Sequence, residues 1–318
     1  MDIMYVVVPC YNEEEVLPIT ASHLLKKLKQ LISENKIHPD SRILFVDDGS
    51  RDKTWELISQ LHSQHDYIHG LKLTRNKGHQ NALLAGLFEA EKHADIIVSM
   101  DADLQDDINA IDAFIDQYHQ GYEIVYGVRQ SRSTDTIFKR NTAQAYYRLM
   151  KLLGVDIVYN HADYRLMSKK AIAHLAQFDE TNMFLRGVIP LIGLKSTSVY
   201  YDRHERVAGE SKYPLKKMLA FAFEGITSFS IKPIRMIASL GFLMSLGSLL
   251  YVLFIILDHF MGWFTTVRGW NTLVVSIWFL GGLQLLAMGV VGEYIGKIYL
   301  EVKHRPRYLV DVYLGNKK

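Results

Sequence analysis

Acidic side chains at a fixed short spacing are the first chemical signal in this chain. Asp101 and Asp103 lie two residues apart, and Gln105 follows at the same spacing. Oxygen atoms of such side chains are the ligands that Mg²⁺ and Mn²⁺ prefer, and these ions leave coordination positions open for phosphate oxygens. We interpret the segment as a metal–diphosphate site. The alternative is an Asp-rich turn whose carboxylates cap a helix starting near Ile108.

A second acidic pair, Asp47 and Asp48, precedes Gly49 and Ser50. This composition is also typical of a turn that ends in a helix N-cap. A carboxylate here can accept a hydrogen bond from a nucleoside base or a ribose hydroxyl, and Tyr11 can stack on a base. The sequence contains neither the glycine-rich fingerprint of dinucleotide dehydrogenases nor a P-loop, so those two nucleotide-binding classes are not indicated.

These polar segments each follow a short β-type run, and helical patterns lie between the runs. The predicted strands are Met4–Val8, Ile43–Val46, Ile68–Leu73, Ile96–Met100 and Ile124–Tyr126. The predicted helices cover about 13–34, 53–65, 80–93 and 108–120. This alternation predicts an α/β fold with a Rossmann-like, mostly parallel sheet and helices on its faces. Ligands bind beyond the carboxyl ends of the strands in such sheets, which is where the polar segments lie.

Composition limits the class of protein. The chain has 318 residues, a single cysteine (Cys10), 49% apolar residues, and 36 Lys and Arg against 34 Asp and Glu. These numbers exclude a disordered tail and a disulfide scaffold. The net charge of +2 gives no strong field of one sign, so we expect no nucleic-acid partner. The first residues lack a signal-peptide pattern, so we expect the large domain to stay in the cytoplasm.

Two uncharged segments, Met236–Leu257 and Gly269–Gly292, are each longer than the roughly 20 apolar residues that span a bilayer as a helix. Basic residues flank their outer ends, and Arg268 is the only Lys or Arg between them, so the positive-inside rule places both termini in the cytoplasm. We predict a cell-membrane protein with a cytoplasmic domain at 1–232, a two-span anchor at 233–300 and a cytoplasmic tail at 301–318. The alternative is a pair of buried helices in a large soluble core.

Six ordered segments together match a known family. They are Val8–Glu15 (VPCYNEEE), Val46–Thr54 (VDDGSRDKT), Arg75–Leu83 (RNKGHQNAL), Met100–Asp107 (MDADLQDD), Ala162–Ala171 (ADYRLMSKKA) and Arg206–Met218 (RVAGESKYPLKKM). With them the chain resembles the inverting nucleotide-sugar glycosyltransferases of the GT-A fold, specifically the membrane-anchored polyprenyl-phosphate glycosyltransferases. That group includes dolichyl-phosphate mannose synthases and bacterial bactoprenol-phosphate glucosyl- or N-acetylglucosaminyltransferases.

The resemblance implies roles for particular residues. Nucleotide contacts would come from Pro9, Tyr11, Glu13, Val46, Asp48, Lys77, Asp101 and Ala102. The Mg²⁺ or Mn²⁺ ligands would be Asp101, Asp103 and Gln105, and the phosphate-binding residues would be Arg206 and Lys212. The chain departs from the family at Asp106 and Asp107, which precede Ile108 where the family often has two prolines.

Asp163 would be the catalytic carboxylate, either as a base or as a group that orients the acceptor. From the residues alone, Asp163 has two other interpretations. It can form an ion pair with Arg165, or it can cap a helix that starts near Ser168.

A lipid acceptor also requires contact with the bilayer surface. Two segments, at about 134–153 and 213–232, mix basic and apolar side chains in the way of helices that lie in a membrane interface. A core helix with a solvated basic edge is an equal alternative for the first segment. The approach to a membrane span favours the interface for the second.

The resemblance therefore predicts an enzyme that moves one sugar, with inversion, from UDP-glucose or UDP-N-acetylglucosamine to undecaprenyl phosphate. An enzyme of the dolichyl-phosphate mannose synthase type that uses GDP-mannose is one alternative. A catalytically silent nucleotide-sugar-binding scaffold in the membrane is another. A processive polysaccharide synthase is disfavoured because the sequence has no Arg-Trp pair. A homo-oligomer is possible in each case.

Overall fold

The computed structural model describes residues 1–129, 161–180, 183–202, 232–261 and 269–315. The chain divides into two compact units. The first unit consists of Met1–Arg148, Asp156–Pro214 and Arg305–Lys318, and the second of Leu149–Val155 and Leu215–His304.

The first unit is an α/β domain. Its strands are β1 (Met4–Cys10), β2 (Arg42–Asp47), β3 (Ile68–Leu73), β4 (Ile96–Ser99), β5 (Ile124–Arg129), β6 (His161–Ser168), β7 (Ser196–Tyr201) and β8 (Val310–Leu314). Its helices are α1 (Leu17–Ser33), α2 (Thr54–Gln64), α3 (His79–Glu91), α4 (Ala110–His119), α5 (Lys169–Leu175) and α6 (Leu185–Leu191). All five predicted strands and all four predicted helices are present, with shifts of a few residues at their ends.

The described strands form one sheet of eight in the order β7-β5-β6-β4-β1-β2-β3-β8. The pairs β1–β2, β1–β4, β2–β3 and β5–β7 are parallel. Strand β6 runs antiparallel to both β4 and β5, and β8 runs antiparallel to β3. The predicted α/β fold with a mostly parallel sheet is therefore confirmed, although β6, β7 and β8 were not predicted.

Strands β1 and β2 at the centre of the sheet are almost completely buried. Every residue of β1 is buried, and so is every residue of β2 after Arg42. Strands covered by helices on both faces are nearly continuous apolar runs, as these are. Helix α3 packs closely on these strands. A Cβ atom added to Gly86 of α3 would lie only 2.4 Å from Val7 Cγ1. The glycine thus allows α3 to pack directly on β1 and β2, since the same Cβ atom would lie 2.7 Å from Val46 Cγ2.

Strand β8 comes from the end of the chain. Its register with β3 runs from Leu73 opposite Val310 to Gly70 opposite Leu314, with an irregularity between Lys72 and Leu73. The sheet is thus completed by residues that follow the predicted membrane segments. Residues 301–318 were expected to form a tail, and no strand was predicted there.

The second unit contains two long helices, α7 (Lys232–Met261) and α8 (Trp270–Val302). The two predicted spans fall on them. Among the described residues, one segment, Phe279–Val302, is long and apolar enough to cross a membrane, and its most apolar part is not buried within the protein. A shorter apolar stretch covers Ile234–Met244. Apart from Lys232, the predicted interfacial helices lie outside the described residues.

Candidate active site

The loops after β1 and β2 are tied together at the carboxyl edge of the sheet. Ser50 Oγ accepts a hydrogen bond from the main-chain N–H of Asn12 at 3.0 Å, and Thr54 Oγ1 accepts one from that of Glu13 at 2.9 Å. Tyr11 is exposed beside them. These contacts hold the first two predicted nucleotide-binding segments against each other.

Pro9 and Val46 lie directly opposite each other in the β1–β2 pair, and both are buried. They lie near the carboxyl ends of β1 and β2, directly before the two loops. Their buried position means that any contact with a nucleotide would come from their main-chain atoms or from the upper edge of their side chains.

The carboxylate of Asp48 binds the loop between β3 and α3. It accepts hydrogen bonds from the main-chain N–H groups of Lys77 at 2.7 Å and Gly78 at 2.8 Å. Burial raises the pKa of Asp48, and the two N–H groups partly offset that rise. Gly49 has a φ of +67°, and a Cβ atom there would lie 2.6 Å from the Arg75 carbonyl carbon. Asp48 and Gly49 therefore bring Lys77 to the edge of the site.

The Asp101–Gln105 segment forms a tight turn after β4. Leu104 has a φ of +55°, and the main-chain N–H of Gln105 donates to Asp103 Oδ1 at 3.2 Å. The carbonyl oxygen of buried Ala102 accepts a hydrogen bond from Thr20 Oγ1 at 2.6 Å, which anchors the turn to α1. Asp101 itself is partly exposed.

The capping interpretation does not account for Asp101 and Asp103. Helix α4 begins at Ala110, later than the predicted Ile108, and its N-cap Asn109 makes no side-chain capping bond. It is Asp107 whose carboxylate accepts from the main-chain N–H of Asn109, at 2.9 Å. The capping carboxylate of this helix is thus that of Asp107.

The donor set at this turn suits a divalent cation. Two carboxylates and an amide oxygen are hard ligands, and their partial exposure is compatible with further ligands from phosphate and water. Among the described residues, no group of three or more His, Cys, Asp or Glu side chains is placed to hold a metal ion. A site here would accordingly depend on Gln105 and on oxygens that the donor brings.

His79, the first residue of α3, contacts the predicted metal site. Its Nε2 atom lies 3.0 Å from Asp101 Oδ1. Burial is the largest influence and lowers the pKa of His79, but the hydrogen bond and charge of Asp101, together with the charge of Asp163, exceed it and raise the pKa overall. For Asp101, burial raises the pKa, and the contact with His79 more than reverses that effect. His79 lies within the Arg75–Leu83 motif, but no role was predicted for it.

Asp163 lies near the start of β6 and is held by two arginines. Its Oδ1 is 2.5 Å from Arg165 Nη2, while Arg186 donates from Nε to Oδ1 at 3.3 Å and from Nη2 to Oδ2 at 3.2 Å. Its main-chain oxygen accepts a hydrogen bond from Ser99 Oγ at 2.6 Å, which fixes it at the end of β4. Burial acts to raise the pKa of Asp163, but the Arg186 and Arg165 guanidiniums hold it well below its ordinary range.

The ion pair between Asp163 and Arg165 was one of the predicted alternatives, and it is confirmed. The capping alternative is wrong, because Ser168 caps α5 with its own hydroxyl, which accepts from the Ala171 N–H at 3.0 Å. Arg186 was not predicted. It lies 23 residues beyond Asp163 and belongs to no local pattern, so only the packing of α6 brings the two together.

Buried Asp106 and Tyr201 form, with partly exposed Arg129, a triad that supports the acidic turn. Asp106 Oδ1 accepts hydrogen bonds from Arg129 Nη2 at 3.0 Å and from the Tyr201 hydroxyl at 2.6 Å. Burial raises the pKa of Asp106 more than the Arg129 guanidinium lowers it. The next residue, Asp107, has its carbonyl oxygen bound by the Tyr164 hydroxyl at 2.9 Å. The turn that lacks the two prolines is therefore held by contacts to β5, β6 and β7.

The structure thus gathers the described candidate residues at the carboxyl edge of the sheet. Arg206 and Lys212 lie outside the described residues, so their predicted phosphate contacts stay predictions.

The chain is similar in sequence to known proteins over most of its length. The profile of glycosyl transferase family 2 matches residues 5–176. The uncharacterized glycosyltransferase YkoT of Bacillus subtilis (strain 168) is 53% identical over 99% of this chain and 93% of its own length. The bactoprenol glucosyl transferase of Shigella phage SfV is 40% identical over 96% of each chain.

Among solved structures, glucosyl-3-phosphoglycerate synthase from Mycobacterium tuberculosis, in complex with Mn²⁺, UDP and phosphoglyceric acid, aligns over 71% of this chain and 76% of its own. The TM-score is 0.45 and the sequence identity 16%, which is too distant to bear on the substrate. The resemblance predicted from the six motifs is confirmed by the sequence matches, and the chain belongs to glycosyl transferase family 2 and is a glycosyltransferase.

Proposed function

We propose that this glycosyltransferase moves a single sugar from UDP-glucose or UDP-N-acetylglucosamine to undecaprenyl phosphate, with inversion at the anomeric carbon. The product is a lipid-phosphate-linked monosaccharide for modification of cell-envelope glycans. The observation that carries this proposal is the 40% identity to bactoprenol glucosyl transferase, which extends over 96% of both chains and so includes the helices of the second unit.

The donor would bind at the carboxyl edge of the sheet. The nucleotide contacts that we propose are Pro9, Tyr11, Glu13, Val46, Asp48, Lys77, Asp101 and Ala102. Asp101, Asp103 and Gln105 would hold Mg²⁺ or Mn²⁺, and Arg206 and Lys212 would bind phosphate. When bound, the cation supplies positive charge that stabilises the departing nucleoside diphosphate.

The acceptor chemistry needs little help from a strong base. A phosphate monoester has a second pKa near 6, so it is largely a dianion at neutral pH. Asp163 is a weak base, because two guanidiniums hold its pKa below the ordinary range. We therefore assign Asp163 an orienting role in preference to proton removal.

The membrane would hold the lipid acceptor near the enzyme. We propose that α7 and α8 both span the cell membrane, with the α/β domain and the C-terminus in the cytoplasm and the segments at about 134–153 and 213–232 in the interface. In support, α8 has strongly exposed apolar side chains, including Leu285 at 72% and Met288 at 70%. Side chains of this kind are stable in contact with lipid rather than water.

The test is a donor panel. Full-length protein in detergent would be incubated with Mg²⁺, undecaprenyl phosphate and radiolabelled UDP-glucose, UDP-N-acetylglucosamine or GDP-mannose, followed by organic extraction. We expect label in the lipid phase with a UDP-sugar. Label from GDP-mannose alone would identify the mannosyl alternative, and nucleotide binding with no transfer from any donor would identify a scaffold.

A further inference from the structure

Asp163, Arg165 and Arg186 form a charged cluster, which we call the Asp163 cluster, and its three side chains differ in exposure. The Arg165 side chain is fully buried and that of Asp163 is 16% exposed, whereas the Arg186 side chain is 34% exposed. A ligand that enters beside the cluster therefore meets the Arg186 guanidinium before it meets the other two groups.

Asp163 fixes the orientation of that guanidinium. Arg186 contacts both carboxylate oxygens, at 3.3 Å and 3.2 Å, and such two-point contacts hold the planar group in one plane. The carboxylate is in turn fixed by Arg165 and, through its main chain, by Ser99. A side chain that is ordered before binding loses less entropy when a ligand arrives.

Arg186 also belongs to the same site as the acidic turn. The main-chain N–H of Leu185 donates to Gln80 Oε1 at 2.9 Å, which joins the start of α6 to the first turn of α3. The neighbour of Gln80 is His79, and His79 contacts Asp101 at 3.0 Å. The charges of Asp101, Asp163 and Arg186 all act on His79.

We propose that Arg186 binds the phosphate monoester of the acceptor, an inference that rests on the proposed function. A guanidinium has five N–H donors in a planar fork that matches phosphate geometry, so it can bind a carboxylate and a phosphate at once. Held in this way, an acceptor phosphate oxygen forms the new bond to the anomeric carbon. The bond from that carbon to the donor diphosphate breaks, and its electron pair leaves with the nucleoside diphosphate.

This assignment makes Asp163 a positioning residue. Its carboxylate orients Arg186 and removes no proton, because the acceptor is already a dianion above its second pKa of about 6. The test must therefore separate binding of the acceptor from binding of the donor.

The experiment uses full-length protein in detergent and two titrations. A short, water-soluble prenyl phosphate is titrated by ³¹P NMR, and UDP is titrated by calorimetry. We expect Arg186→Gln to weaken prenyl phosphate binding about tenfold or more, because a charge-assisted contact is lost, with UDP affinity unchanged. Arg186→Lys keeps the positive charge but lacks the planar fork of N–H donors. Its affinity for prenyl phosphate should lie between that of the unmodified protein and that of Arg186→Gln. Arg42→Gln is the control, since Arg42 also pairs with an aspartate, Asp40, but at the amino end of β2.

Two outcomes would overturn the inference. Equal losses of UDP and prenyl phosphate affinity would assign Arg186 to the donor diphosphate. Unchanged binding of both in Arg186→Gln and Arg186→Lys would leave it only a structural partner of Asp163. Failure of the proposed function gives a different result, because prenyl phosphate would then bind in an Arg186-dependent way without ever receiving a sugar.

Discussion

Thr74 donates its main-chain N–H to the carbonyl oxygen of Leu309, 3.0 Å away. The contact joins the loop after β3 to the chain just before β8. The same loop continues to Lys77 and Gly78, whose N–H groups bind the Asp48 carboxylate. Residues that follow α8 in sequence therefore support a loop of the candidate nucleotide site.

We expect Tyr313→Ala in β8 to destabilise the α/β domain by about 2 kcal/mol, because it removes a partly buried ring. The Tyr313 ring stacks on His93 with centroids 6.2 Å apart and meets His69 edge-on at 6.1 Å. UDP affinity should fall as well, since the β3–α3 loop loses support. Thermal unfolding and UDP calorimetry measure the two effects. The control is Val310→Ala, an exposed position of the same strand, and equal effects of both substitutions would contradict the prediction.

Tyr201→Phe should weaken the acidic turn. It removes the hydroxyl that lies 2.6 Å from Asp106 and leaves a buried carboxylate with one partner fewer, at a cost of about 1–3 kcal/mol. We expect a lower melting temperature and a higher Mn²⁺ concentration for half-maximal activity. Tyr200→Phe, at a neighbouring exposed residue, is the control. A Mn²⁺ requirement that does not change in Tyr201→Phe would mean that the triad has no influence on the metal ligands.

The pH dependence of Asp163→Asn should distinguish orientation from proton removal. A carboxylate with a lowered pKa is stabilising above its unfolded pKa, and that stabilisation is lost only as pH falls through the folded value. Asp163 therefore stays ionised from about pH 5.5 to about pH 8, on both sides of the acceptor's second pKa. We expect kcat to fall about 100-fold through misplacement of the acceptor, by the same factor across this range. Initial rates over a pH series measure it, and a defect that deepens at low pH would restore the role of Asp163 as a base.

Asp103→Ala should abolish transfer and leave the fold intact, because it removes a candidate metal ligand from a partly exposed turn rather than a core side chain. Activity should also be lost in EDTA and return with Mg²⁺ or Mn²⁺. Circular dichroism checks the fold, and the radiolabel assay measures transfer. Asp116→Ala, an exposed aspartate on α4, is the control. Full activity in EDTA would remove the metal from the mechanism.

Local sequence patterns determined the core of the fold. Strands β1, β2 and β4 are built on short apolar runs, and polar residues follow each of them within two positions. Such runs are typical of buried parallel strands. Because the carboxyl ends of parallel strands meet at one edge, the segments at Asp48 and Asp101 had to come together. The six motifs then identified the family without any coordinates.

Tertiary structure alone decided the rest. Strand β8 is a short β-type run, VDVYL, but its partner β3 lies far away in sequence, so only the completed sheet reveals the pairing. The same holds for Arg186 and Tyr201, whose partners Asp163 and Asp106 are brought close by the packing of α6 and β7. The resemblance to the family implied that Asp163 is the candidate catalytic carboxylate. Its charged state depends on how two distant guanidiniums and burial balance, and that balance exists only after the chain has folded.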